Sequence, residues 1–264
     1  MTWVVHVGGL VRTGSGAVKD ALLDTGWFTT LKGKSSTLTE SRLFVGERTI
    51  PDFVRGASEI GGTDVLALWT AGTRRPVGTR ISDETARFLA GTSRTHAVNH
   101  KAFLRVEDSL LEEAAHRVAE GIARATEGRQ RAEAYISGTY AAIRSLLPNG
   151  NQMVLIDNDP AVTEHLLTHL RLDDRIVFVA VIRDLSDQFA DRRTGIVPHH
   201  SRPRNLAYMT ISALRRRPRF RALETASKEF PDRCIIVEFE PFVTDSTYRE
   251  RLLAAISHAP RRLP

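Results

Sequence analysis

Apolar residues fall along the chain in short unbroken runs separated by stretches of helical spacing. The runs are Trp3–Val7, Val65–Trp69, Met153–Ile156, Ile176–Ile182 and Cys234–Phe239. Each is continuous and not alternating, the pattern of strands covered on both faces, so each predicts a buried strand of a parallel sheet. Between them, Ala17, Val18, Ala21 and Leu22 share one helical face. Asp83–Leu89 follows the cap candidate Ser82. Leu110–Leu147 predicts a long helix with Gly121, Gly128 or Gly138 as break points. Ala161–Leu170 follows Pro160, a good first-turn residue. Asn205–Arg216 and Phe220–Phe230 predict two helices ended by Pro218 and Pro231, and Thr247–Ile256 a last one. Strands alternating with helices, without a repeat or a clear linker, predict one α/β domain over residues 1–264. Its architecture is a three-layer sandwich with a central, mainly parallel sheet flanked by helices.

Composition narrows the classes. Of 264 residues 42% are hydrophobic and 26% charged, which excludes a disordered chain. The single cysteine, Cys234, excludes a disulfide framework and a cysteine-based zinc site, and its apolar run predicts a buried, inert thiol. No apolar stretch reaches membrane-spanning length, and the start of the chain lacks the basic lead and apolar core of a signal peptide, so a reducing cytoplasm is expected. The net charge is +6, and all but five of the 37 basic residues are arginine. Arginine forks grip phosphate and sulfate. An arginine-rich composition also follows from a GC-rich genome, so the surplus suggests an anionic ligand without naming it.

The chemistry-bearing segment lies after the first strand. Gly9–Gly16 reads as a glycine-rich turn between strand and helix, where helix N–H groups and the macrodipole favour an anion. Gly14 and Gly16 allow close backbone approach, Thr13 and Ser15 offer hydroxyls, Arg12 adds a cation, and Ala17 begins the helix behind them. A Walker A loop is excluded, because no lysine follows the second glycine. A plain strand-to-helix turn reads equally from these residues.

Arg12-Thr13-Gly14-Ser15 resembles the 5′-phosphosulfate loop of the sulfotransferase family, in which a basic residue precedes Ser/Thr, Gly and Thr/Ser. The strand Ile176–Ile182 followed by Arg183-Asp184 resembles the second signature of that family, whose arginine, with a serine eight residues on, holds a 3′-phosphate. Here Leu185 replaces the usual proline and the eighth residue is Asp191, with Ser186 or Arg192-Arg193 as substitutes. Leu155–Pro160 and Val237–Val243 are similar to two further strands of the family, while residues 70–152 match weakly and a late glycine-rich segment is missing. The resemblance implies a P-loop-like fold, 3′-phosphoadenylyl sulfate as donor, adenosine 3′,5′-bisphosphate as product, and no metal. It implies donor binding by Arg12 to Ala17, Arg183 and position 191. The acceptor would be a hydroxyl of a glycan, an anionic one included, or of a natural product.

Sulfuryl transfer needs a base for the acceptor proton and cations at the leaving oxygen. Glu40 and Arg42, after the first helix, resemble the Glu-x-Arg of glycan- and tyrosine-type members, which implies Glu40 as base, Arg42 as electrostatic helper and Arg12 at the bridging oxygen. A solvated surface pair is the plain alternative. His96 and His100 are rival bases; these two and His165/His169 also have zinc-ligand spacing, and His199-His200 stand in a loop-like stretch. Two other classes stay open. A phosphotransferase would use Asp157, ending a Walker-B-like strand, on magnesium. A nucleic-acid module, not expected, would use Arg202, Arg204, Arg215–Arg217, Arg219 and Arg221.

Overall fold

The computed structural model describes residues 2–9, 13–31, 43–44, 49–70, 78–91, 103, 106–147, 153–157, 160–184, 186–187 and 202–259. Five parallel strands form one sheet in the order β2-β3-β1-β4-β5. They are β1 (Val4–Gly9), β2 (Phe28–Thr29), β3 (Met153–Asp157), β4 (Ile176–Ile182) and β5 (Cys234–Glu238). The three-layer sandwich expected from the alternation is thus observed. Strand β1 lies at the centre, with Val4 beside Val154 on one side and Ile176 on the other.

The apolar runs are continuous because successive residues serve two cores. Val5, Val7, Val177, Val179 and Val181 face one side, where α1 (Ser15–Asp24), α9 (Phe239–Thr244) and α10 (Ser246–His258) pack through Val18, Leu22, Phe242 and Ile256. Val4, Ile176, Phe178 and Ala180 face the other. That larger core is covered by α2 (Ile50–Gly56), α3 (Gly62–Thr70), α5 (Asp108–Ala123), α6 (Gly128–Ser145), a 3-10 turn at Pro160–His165, α7 (Leu166–Leu172) and α8 (Arg202–Glu229). Helix α4 (Asp83–Gly91) adds Phe88 to it, and the Ser82 hydroxyl caps that helix by accepting from the Thr85 N–H (3.2 Å).

Several sequence expectations are corrected. Val65–Trp69 is not a strand but most of α3, which is buried on every side. An apolar run has no periodicity to separate the two states. The local signal was Asp64, whose carboxylate accepts the Gly61 N–H (2.8 Å) and ties down the helix start. The edge strand β2 was missed because two residues carry no pattern. The run expected to extend through Phe239 ends at Glu238, and Phe239 opens α9. Pro218 does not divide two helices, since α8 runs through it. The long helix of residues 110–147 does break, and the break falls just before Gly128; Gly121 and Gly138 lie inside α5 and α6. Cys234 is buried as expected, and burial pushes its thiol up to about 12.

A candidate anion site at the carboxyl edge of the sheet

The chain leaves β1 toward α1 on one face of the sheet. It leaves β3 and β4 toward α7 and α8 on the other. Connections that diverge from neighbouring parallel strands open a crevice at their carboxyl ends, where ligands of open α/β sheets bind. The turn of residues 13–16 and Arg183 both stand at this edge.

Gly14 is the N-cap of α1, with φ 86° and ψ 18° in the left-handed region. Among the described residues no side chain caps this helix end, and its first turn holds no acidic residue. The N–H groups of Ala17 and Val18 are donated to the Gly14 carbonyl (3.0 and 3.4 Å). Ser15 and Gly16 are the positions whose amides lie outside that ladder, and a Cβ on Gly16 would meet nothing within 4 Å. Thr13 is 1% exposed, so its hydroxyl is turned into the protein. Ala17 donates inside the helix, and among the described residues of the turn the amides outside that ladder are those of Ser15 and Gly16. Gly14 has a further reason to be glycine: a Cβ there would lie 2.1 Å from the Phe239 ring.

The same ring carries Arg183. Its guanidinium carbon lies 4.8 Å from the Phe239 centroid, and Nε is 3.5 Å from Glu240 Oε1. The Arg183 side chain is 16% exposed. Phe239 thus links the two segments that sequence alone singled out separately. Glu240 also accepts the Asp184 N–H (3.4 Å). Asp184 accepts from both the hydroxyl and the N–H of Ser186, which, with Arg216 nearby, holds its carboxyl below the usual range.

Arg216 reaches the same edge from α8. Its Nη2 donates to the Arg183 carbonyl (3.3 Å), its guanidinium lies 5.0 Å from the Phe220 centroid, and its buried Nη1 meets no hydrogen-bond acceptor among the described residues. Sequence reading placed Arg216 in a surface cluster. Its signal was the spacing of Arg216 and Phe220, one helical turn apart. Arg217 and Arg221 are exposed, whereas Arg219 is 5% exposed.

Arg12, Glu40, Arg42, Asp191, His96, His100, His199 and His200 lie outside the described residues. The backbone of Asp157 ends β3 opposite Val7 of β1. His165 is exposed and His169 is buried against Tyr140, and no group able to hold a metal occurs among the described residues. Among them, no helix is long and apolar enough to cross a membrane. No known family model matches the chain, and no curated protein matches it.

Proposed function

We propose that the protein is a sulfotransferase that moves a sulfuryl group from 3′-phosphoadenylyl sulfate to a hydroxyl acceptor. The observation that carries this reading is the meeting of Gly14, which opens the turn, with Arg183 across the Phe239 ring, and of Arg216 with the Arg183 carbonyl. A donor with phosphate on the 3′ and 5′ oxygens of its ribose needs two anion sites one ribose ring apart. The turn suits the 5′ end through helix amides. Arg183 and Arg216 suit the 3′-phosphate, with Arg216 Nη1 as the donor awaiting an acceptor. Arg216 fills the role for which the family serine is replaced by Asp191. Glu240 competes with the 3′-phosphate for Arg183 and must yield to it.

In this reaction the acceptor oxygen bonds to sulfur as the bond from sulfur to the bridging phosphate oxygen breaks. Glu40 takes the hydroxyl proton, and Arg12 and Arg42 offset the charge gathering on the leaving phosphate. Fixed cations carry out this task without a metal.

Calorimetry tests the reading. Adenosine 3′,5′-bisphosphate should bind about 10- to 150-fold more tightly than adenosine 5′-phosphate, the equivalent of one charge-assisted hydrogen bond. Arg183→Ala and Arg216→Ala should each shrink that ratio, and Glu240→Gln should enlarge it. Equal affinity for the two nucleotides in the unaltered protein rejects the proposal. Asp157, at the end of the strand beside β1, favours a second reading, a magnesium-dependent phosphotransferase. ATP with magnesium binding more tightly than the bisphosphate would select it.

A further inference from the structure

A cavity of about 330 Å³ lies on the opposite side of the sheet from α1, between α2, α6 and α7. This is within the range of roughly 300–1,000 Å³ typical of small-molecule pockets. Its described walls include Phe44, Pro51, Ala132, Ile136 and Val162, with His169 among them. None of these belongs to the turn after β1 or to the Arg183–Arg216 cluster, so the cavity is distinct from that anion site. At its mouth two arginines are matched by carboxylates, Arg55 with Asp52 (3.4 Å) and Arg129 with Glu133 (2.8 Å). The mouth therefore carries no net charge from these pairs, and it favours a neutral occupant over an ion.

His169, a polar group of this wall, is oriented from behind. His169 Nδ1 is 2.6 Å from the Tyr140 hydroxyl, which is 2.7 Å from His6 Nε2. All three side chains are buried, and His6 Nδ1 has no hydrogen-bond partner among the described residues. Tyr140 has one proton to give, so the chain runs in one of two directions. If Tyr140 donated to His6, the proton of His6 would sit on Nδ1 as an orphaned buried N–H. If Tyr140 donates to His169, His6 gives its Nε2 proton to Tyr140 and leaves only a bare lone pair at Nδ1. An orphaned donor is rarer and costlier than an orphaned acceptor. The second direction therefore holds, and it puts the proton of His169 on Nε2, the nitrogen not held by Tyr140. Burial keeps both imidazoles neutral, with His6 lowered to about 3 and His169 well below its usual value.

We propose that this cavity binds a neutral small organic molecule with an apolar body and one carbonyl-type acceptor, which takes the Nε2 proton of His169. The probe pair is 2-acetylnaphthalene and 2-ethylnaphthalene, alike in shape and differing in the acceptor. Saturable binding of the ketone is expected, about 2- to 12-fold tighter than the hydrocarbon, the worth of one neutral hydrogen bond. Titration should shift the His169 Nε2 proton resonance, and long-range nitrogen–proton spectra of the free protein should show His6 and His169 both protonated at Nε2. Ala132→Phe, which fills the cavity, should abolish binding while nucleotide binding persists. Equal affinity for the two probes, no saturable binding, or a proton on Nδ1 of His169 overturns the proposal. The spectra and the probe ratio use the unaltered protein, so they decide even if the filled variant does not fold.

Discussion

Gly14 is under two constraints at once. Its left-handed backbone disfavours any L side chain, and the Phe239 ring occupies the space of a Cβ. Gly16, two residues on, has ordinary helical backbone and open space. Gly14→Ala should therefore destabilise by about 2 kcal/mol or more, combining roughly 1–2 kcal/mol of left-handed strain with overpacking of a fitted ring. Gly16→Ala should be neutral or slightly stabilising. Urea unfolding of the two variants compares them directly, and equal losses would show that neither the left-handed strain nor the ring contact has energetic weight. At this scale the sequence singled out the two segments that the Phe239 ring joins, since a glycine turn after a strand and an arginine at a strand end are local patterns. Phe239, Glu240 and Arg216 were not recognisable as partners. They lie 33 to 57 residues from Arg183 along the chain, and only the sheet brings them to one edge.

Elements were legible where a pattern had one physical meaning. The runs in β1, β3, β4 and β5 read correctly because each is short and apolar, and in β1 and β4 successive residues are buried in the two cores in turn. Val65–Trp69 read wrongly because full burial erases the helical period as well as the strand period. The trace of α8 through Pro218 has another cause. The helix packs Leu223 and Ala226 into the larger core, while Pro218 and Leu214, one turn earlier, lie on the solvent side. The ring therefore meets water and not a packed neighbour, and the helix continues despite a lost backbone bond. Pro218→Ala restores the missing donor without disturbing any packed side chain, and it should stabilise the protein by about 1–3 kcal/mol. A lowered midpoint in chemical denaturation would show instead that the proline's restriction of the unfolded chain outweighs the bond.

Over the whole molecule, the two buried histidines couple stability to pH. Both are neutral in the folded state because burial lowers them, whereas in the unfolded chain they titrate near 6.5. The unfolded state therefore binds more protons below that value, and stability must fall as pH falls from about 6.5 toward 3. The slope is about 1.4 kcal/mol per pH unit for each imidazole. Urea unfolding at pH 7 and pH 4.5 should show this loss, and a flat profile would mean that His6 and His169 are protonated in the fold. His6 sits in β1, Tyr140 in α6 and His169 in α7, so no local pattern marks them as a chain. The sequence by itself determined the α/β class, the parallel sheet and the placing of a glycine turn at the end of the first strand. These follow from hydrophobic runs and turn residues whose meaning is settled within a few positions. The tertiary structure alone decided the strand order, the meeting of Gly14 with Arg183 across Phe239, and the cavity above His169. Each of these depends on which distant surfaces bury one another, and a one-dimensional pattern of apolar and polar residues says that a surface is buried without saying against what.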